Sequence, residues 1–214
     1  MANVPSDVSD THGTQLDGIH DAQPYDWDDY EAYFRDKPAY HSQEEALMAI
    51  LSELSFESVF EVGPGFGRIT ALILNQWPAV AQDYTLLDIS EAMIEATSKN
   101  LPTVDFLYFI GSISVPLDAG IWASPQLPIK ADLVLAVEVL MHIHPNEIMQ
   151  AVDNLLGAIS DNGCLVTVDW TVPRPNEPFG QNWRHDYPNL FLAAGARTIQ
   201  ATLVGLQTIY VVEV

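Results

Sequence analysis

The apolar residues of the chain follow two different periods, and these periods alternate along the sequence. Short apolar runs, typical of buried strands, occupy 58–63, 84–88, 104–110, 131–139 and 164–170. The segments between them carry apolar residues at every third or fourth position, which predicts helices. Alternating strands and helices favour a parallel sheet with helices on both faces, an α/β fold.

Polar residues and prolines mark where several helices should begin. Ser42 and Glu45 form an S-x-x-E capping box, so we expect a helix to begin at Ser42. Ser90 is a candidate N-cap for the helix after the second strand. Pro145 suits the first turn of the helix after the fourth strand.

The end of the chain has a different pattern. A short helix is predicted at 188–194, and residues 196–213 then form two apolar segments that meet at Gly205. This pattern predicts a closing antiparallel hairpin. Two final strands without a helix between them depart from a plain dinucleotide-binding fold.

The N-terminal part divides into two segments. Residues 1–24 are polar and without periodicity, so we expect a mobile tail. Residues 25–41 have aromatic residues at helical spacing, which predicts a short amphipathic helix that stops near Pro38 and acts as a lid or substrate segment. The main domain would then span 42–214.

A glycine-rich turn follows the first strand and precedes a helix with the sequence EVGPGFGR at 61–68. Gly63 and Gly65 allow the backbone to turn tightly and to approach a ligand without a Cβ in the way. Free N–H groups at the start of the following helix favour an acceptor or anionic group. The alternative is an ordinary glycine-rich turn between a strand and a helix.

Asp88 closes the second strand, close to where this turn is expected. A carboxylate at that place can accept hydrogen bonds from both hydroxyls of a ribose. Alternatively, Asp88 serves only the N-terminus of the next helix.

With these motifs in place, the sequence resembles the class I S-adenosylmethionine-dependent methyltransferases. The matching segments are EVGPGFGR at 61–68, LDISEAMIEA at 87–96, ADLVLAVEVLMHI at 131–143 and the hairpin at 196–213. The resemblance implies a three-layer sandwich around a seven-stranded, mostly parallel sheet. Its strand order would be 3-2-1-4-5-7-6, with the last strand antiparallel.

The resemblance also implies which residues surround S-adenosylmethionine in the glycine loop. Gly63 and Gly65 would line its methionine portion, and Pro64 and Gly67 belong to the same loop. Glu61 would hold the loop and lie near the amino group of the cofactor through water.

The nucleoside end of the cofactor involves a second set of residues under the same resemblance. Asp88 would bind the ribose hydroxyls, and Ile89 and Met93 would pack against the adenine. Ser112 and Ile113 follow the third strand. Many family members have an aspartate for the adenine amino group where this chain has Ser112.

Three residues are candidates for the chemistry of transfer. An amine or hydroxyl acceptor must lose a proton, so a general base can help. Glu138 at the end of the fourth strand ranks first by position, followed by His142 and His185. Two alternatives stay open: His142 only hydrogen-bonds the loop, or proximity alone suffices and no base exists.

Charge and composition narrow the partners and the location. The 214 residues carry a formal net charge of −21, which repels nucleic acids at long range. No apolar run reaches the ~20 residues of a membrane helix, and the N-terminus does not read as a signal peptide, so we expect a cytoplasmic protein without a membrane partner.

Cys164 is the only cysteine, which excludes an internal disulfide. No metal site is predicted, and the protein would be a monomer or a homodimer.

The acceptor is expected to be a small molecule. Aromatic residues are frequent in 25–41 and 170–187, which suits a planar, apolar or cationic acceptor, although half of them could simply cover the core.

Two other functions stay open. One is a non-catalytic protein that binds S-adenosylmethionine. The other is a nicotinamide-dependent oxidoreductase, which Gly67 and Arg68 disfavour because the third glycine comes too early for G-x-G-x-x-G.

Overall fold

A computed structural model describes residues 38–115, 129–170 and 182–214. The five helices in these ranges are numbered in chain order. They are α1 (Pro38–Leu51), α2 (Arg68–Gln76), α3 (Glu91–Asn100), α4 (Ile148–Gly157) and α5 (Tyr187–Ala193). Short 3-10 helices occupy Pro78–Asp83 and Leu140–His142.

The strands in the same ranges form one sheet. They are β1 (Val59–Val62), β2 (Tyr84–Asp88), β3 (Leu107–Ile110), β4 (Ala131–Val137), β5 (Ile159–Trp170), β6 (Thr198–Val204) and β7 (Gln207–Glu213). The sheet order is β3-β2-β1-β4-β5-β7-β6. Strands β1 to β5 pair in parallel, whereas β7 runs antiparallel to β5 and β6. The predicted fold class and strand order are confirmed.

The helices cover both faces of the sheet and bury two apolar clusters. On one face, α4 and α5 pack against side chains such as Val134 and Tyr210. On the other face, α1, α2 and α3 contribute Leu47, Ile73 and Ile94. The central strands β1, β2 and β4 are almost wholly buried because they have helices on both sides.

The helix α1 begins earlier than its capping box predicts. It starts at Pro38, and Ser42 lies inside it, so the prediction that Ser42 begins the helix is wrong. Proline is tolerated in a first helical turn because the N–H groups there have no partner within the helix. Pro38 therefore starts a helix, where the sequence analysis expected it to stop one.

Other boundaries differ by a few residues. Pro145 lies in a turn just before α4, not in its first turn. The fifth strand begins at Ile159 instead of Cys164, because Ile159 already pairs with Ala131. Ser90 is the N-cap of α3, as predicted, and its hydroxyl accepts a hydrogen bond from the Met93 N–H at 3.4 Å.

The predicted tail at 1–24 and most of the lid segment at 25–41 lie outside the described residues. Within the described ranges, every helix is too short or too polar to cross a bilayer.

Candidate active site

The carboxyl ends of β1, β2 and β4 meet at one edge of the sheet. From β1 the chain proceeds outward through β2 and β3, while β4 lies on the opposite side of β1. The neighbouring connections therefore leave β1 and β4 in opposite directions, which opens a crevice at the strand ends. The glycine loop, Asp88 and Glu138 all lie at this edge.

The glycine loop turns through left-handed backbone conformations. Gly63, Gly65 and Gly67 have φ values of +68°, +57° and +85°, a region that residues with a Cβ rarely adopt. The Gly63 N–H donates to the Leu87 carbonyl at 2.7 Å, which ties the loop to the end of β2. The Gly67 N–H donates to the Pro64 carbonyl at 3.0 Å and closes the turn before α2.

The two sides of the loop differ in the space around them. A Cβ on Gly63 would lie 2.5 Å from the Val139 Cγ2 atom, so this glycine permits close packing against the segment after β4. A Cβ on Gly65 would meet only the Met93 Sδ atom, at 4.0 Å. Gly65 therefore faces open space, and its bare backbone is accessible to a ligand.

Helix α3 holds the loop from the side, a role that the sequence analysis missed. The Thr97 hydroxyl donates to the Gly65 carbonyl at 2.7 Å, and the Asn100 amide donates to the Phe66 carbonyl at 2.9 Å. Thr97 lies one turn after Met93, so its place on the same helix face could have been inferred from the sequence.

Asp88 lies at the tip of β2 with its carboxylate turned toward the loop. It is 7 % exposed. One oxygen accepts from the Ser90 N–H at 2.9 Å, and the other accepts from the Gly65 N–H at 3.4 Å. Burial raises the pKa of Asp88 to about 6, although these hydrogen bonds oppose the shift. Both roles that the sequence suggested are thus geometrically compatible: the carboxylate serves the α3 N-terminus and lies beside the open loop.

Glu61 is buried beneath the loop. Its Oε2 atom accepts hydrogen bonds from the Thr70 and Tyr84 hydroxyls, both at 2.7 Å. Burial raises the pKa of Glu61 to about 7, and the two hydroxyls lower it in part. Glu61 therefore joins β1 to α2 and β2, which is consistent with the predicted role of holding the loop.

The residues predicted around an adenine are only partly brought together. Ile89 is 60 % exposed beside the site, and Met93 is buried under Gly65. The Ser112 hydroxyl is 2.8 Å from the Ser114 hydroxyl. Ile113 is 3 % exposed and packs in the core on the α4 face, and its carbonyl accepts a hydrogen bond from the Asn154 amide at 2.6 Å.

Glu138 follows β4 directly and has an unusual backbone. Among the described residues it is the one non-glycine with positive φ, at +58°. Its carboxylate accepts a hydrogen bond from the Gln207 amide and lies 3.9 Å from the Arg68 guanidinium. A left-handed conformation at a residue with a Cβ stores about 1 kcal/mol or more of strain, which is typical of functional positions.

The two histidines differ in their surroundings. Part of the His142 surface is exposed, yet its ring is crowded enough for desolvation to lower its pKa, while a hydrogen bond with Asn182 raises it. The His185 Nε2 atom donates to the Ile143 carbonyl at 2.9 Å. His185 thus links α5 to the loop after β4, and its ring is oriented by that bond.

A buried carboxyl group at the end of β5 was also missed by the sequence analysis. Asp169 is fully buried, and its Oδ1 atom accepts from the Met141 N–H at 3.1 Å. Burial raises its pKa well above the ordinary range. Its Oδ2 atom and the hydroxyls of Thr167 and Tyr187 are buried without a hydrogen bond of normal geometry.

Comparison with known proteins identifies the class. Residues 60–165, about half of the chain, match the family model of the methyltransferase domain. The match begins in β1, contains the glycine loop, and ends in β5, within a sheet whose order was expected for this class. The chain belongs to the family that this methyltransferase-domain model describes.

Solved structures with the same fold give more particular likenesses. An O-methyltransferase family protein from Burkholderia thailandensis has a TM-score of 0.63 and 15 % identity, over 80 % of this chain and 56 % of its own. DesVI from Streptomyces venezuelae has a TM-score of 0.63 and 17 % identity, over 86 % and 96 %. The structure of PigF with SAH has a TM-score of 0.56 and 16 % identity, over 74 % and 51 %.

At these identities the likeness concerns the fold. The chain spans little more than half the length of the Burkholderia protein and of PigF. A search of curated proteins found no match. Within the described residues, no group of three or more histidine, cysteine or acidic side chains is arranged to hold a metal ion.

Proposed function

We propose that the chain binds S-adenosylmethionine and transfers its methyl group to a small-molecule acceptor. One observation carries this proposal: the open face of Gly65 and the buried carboxylate of Asp88 lie side by side, 3.4 Å apart at the N–H and Oδ2 atoms. A carboxylate in this position can accept hydrogen bonds from both ribose hydroxyls of a nucleoside, and a glycine beside it lets the chain attached to the ribose approach the backbone closely. Family membership and the SAH held by PigF support the same reading.

The residues present fit this cofactor. The two Asp88 oxygens accept backbone hydrogen bonds from Ser90 and Gly65, and a carboxylate has about four acceptor sites, so it can also accept from ribose hydroxyls. The missing Cβ at Gly65 leaves room for the ligand chain, and the exposed Ile89 side chain offers an apolar surface for an adenine. When bound, S-adenosylmethionine would supply an activated methyl group on a sulfonium sulfur.

The acceptor would lie beyond the carboxyl ends of β4 and β5. Trp183 is 40 % exposed, and its ring packs edge-on against His144. Its backbone N–H donates to the Met141 carbonyl at 2.6 Å. These contacts hold an aromatic side chain against the loop after β4, the loop that also contains His142. A lowered pKa keeps His142 neutral near pH 7, so it can take a proton from an acceptor hydroxyl or ammonium group.

Transfer is tested with S-adenosylmethionine labelled on its methyl group and a small-molecule extract. We expect label to move to an extract component with the wild-type protein, and Asp88→Ala to abolish this while remaining folded. Tight binding of the cofactor without transfer to any component would instead favour the non-catalytic alternative. Absence of both binding and transfer would contradict the proposal.

A further inference from the structure

Four side chains form a closed ring at the mouth of the glycine loop. The Gln43 amide donates to the Gln207 side-chain oxygen at 3.0 Å, and the Gln207 amide donates to Glu138. Arg68 completes the ring, because it donates to the Gln43 side-chain oxygen at 3.3 Å and lies 3.9 Å from the Glu138 carboxylate. The ring joins α1, α2, β7 and the segment after β4.

The ring is next to Gly63 of the glycine loop through the segment after β4. Val139, the neighbour of Glu138, occupies the space that a Gly63 Cβ would need. Arg68 follows Gly67 directly and begins α2. A guanidinium at the start of α2 and a carboxylate that follows β4 therefore meet beside this turn of backbone.

The Arg68 guanidinium is shared between two carboxylates. Arg68 makes a close ion pair with Glu44 at 2.5 Å, whereas its distance to the Glu138 carboxylate is 3.9 Å. The side chains of Arg68, Glu44 and Glu138 are between 15 % and 21 % exposed, so a ligand at the crevice can reach them. Arg68 and Glu138, on two separate elements and 3.9 Å apart, offer one positive and one negative group, as the two charges of a zwitterion require.

We propose that Glu138 and Arg68 bind the amino-acid end of the cofactor, with Glu138 taking its α-ammonium group and Arg68 its α-carboxylate. This inference rests on the proposed function. Gln207 and Gln43 then act as positioning residues, since they fix the Glu138 carboxylate and the Arg68 fork. The positive φ of Glu138 occurs at a residue whose carboxylate contacts Gln207 and Arg68, as a strained functional position would. Glu138 is in this account a binding residue and not the general base.

Two nucleosides separate this inference from the proposed function. S-adenosylhomocysteine carries the amino-acid end, and 5′-methylthioadenosine lacks it. We would titrate each into the wild-type protein and into Glu138→Gln, Arg68→Gln and Glu95→Gln by calorimetry. Glu95 is an exposed carboxylate on α3, so its variant controls for the loss of one negative charge.

We expect the Glu138 and Arg68 variants to bind S-adenosylhomocysteine at least tenfold more weakly, as for a lost hydrogen bond between charged groups. Their affinity for 5′-methylthioadenosine should stay within twofold of wild type, and Glu95→Gln should change neither. Equal weakening of both nucleosides, or no weakening of either, would overturn the inference and leave the proposed function standing. If wild type binds neither nucleoside, both fail. Melting curves show which variants are folded, and either variant alone decides the question.

Discussion

Replacing Gly65 with alanine separates the stability of the loop from its ligand binding. Gly65 has φ +57° and open space where a Cβ would be, so alanine meets only the intrinsic strain of the left-handed region. That strain is about 1 to 2 kcal/mol. Alanine also restricts the unfolded chain, which offsets about 0.5 kcal/mol of it. We therefore expect Gly65→Ala to lose about 1 kcal/mol of stability, or about 2 to 4 °C in melting temperature.

The same methyl group should interfere with the cofactor. Because it projects into the space beside Asp88, we expect the affinity for S-adenosylhomocysteine to fall at least tenfold, which corresponds to about 1.4 kcal/mol. Calorimetric titration measures the affinity, and a thermal melt without ligand measures the stability.

Gly205 offers a matched control in the turn between β6 and β7. Its φ is +62°, and no atom lies within 4 Å of an added Cβ. Gly205→Ala should therefore lose a similar amount of stability and bind the cofactor like wild type. Gly63→Ala should be less stable than either, because its Cβ would clash with Val139 at 2.5 Å. Equal binding by the Gly65 and Gly205 variants would refute the reasoning that the open face of Gly65 contacts the ligand.

Three buried carboxyl groups give further predictions. The pKa of Asp88 is about 6, and the ionised carboxylate is the form that accepts the ribose hydroxyls. The affinity for S-adenosylhomocysteine should therefore fall about tenfold from pH 7 to pH 5. Titrations of Asp88→Asn should show no such trend. The pKa of Glu61 is about 7 in the folded protein, against an ordinary 4.5. The folded protein therefore holds a proton on Glu61 more tightly than the unfolded chain does, and its stability falls as the pH rises from 4.5 to 7. In urea unfolding, Glu61→Gln should remove about 2 to 3 kcal/mol of the loss between pH 5 and pH 8, and identical pH slopes would contradict this. Asp169→Asn keeps an oxygen acceptor for the Met141 N–H and removes the ionisable proton. Because burial opposes ionisation of Asp169, the variant should raise the melting temperature at pH 8 by about 2 to 4 °C, and the gain should shrink at pH 5; a lower melting temperature at pH 8 would contradict this.

Much of the fold could be predicted because its signals are local. The bounds of β2 were predicted as the structure has them, since the apolar run and its flanking residues agree there. The start of α1 was not, because proline marks both the end and the first turn of helices. The first residues of β5 were missed because they are polar and glycine-containing, and their pairing with Ala131 is a tertiary contact.

In the candidate site too, residues placed by local sequence signals could be predicted, and residues placed by long-range contacts could not. The glycine loop and Asp88 were found because each lies at the carboxyl end of a strand, where sequence position fixes spatial position. The contact between Gln43 and Gln207 joins residues 164 positions apart, and no spacing in the sequence indicates it. The burial of Asp169 likewise depends on the segment after β4 folding over the end of β5, which a strand pattern does not reveal.

The central claim is that the Asp88 carboxylate and the open glycine loop hold the sugar and chain of an adenosyl nucleoside. A crystal structure of the protein with S-adenosylhomocysteine tests it most directly. We predict both ribose hydroxyls within about 2.5 to 3.0 Å of the Asp88 oxygens, and the homocysteine chain across Gly65. A nucleoside bound elsewhere, or an Asp88 carboxylate that contacts only the loop, would contradict the account.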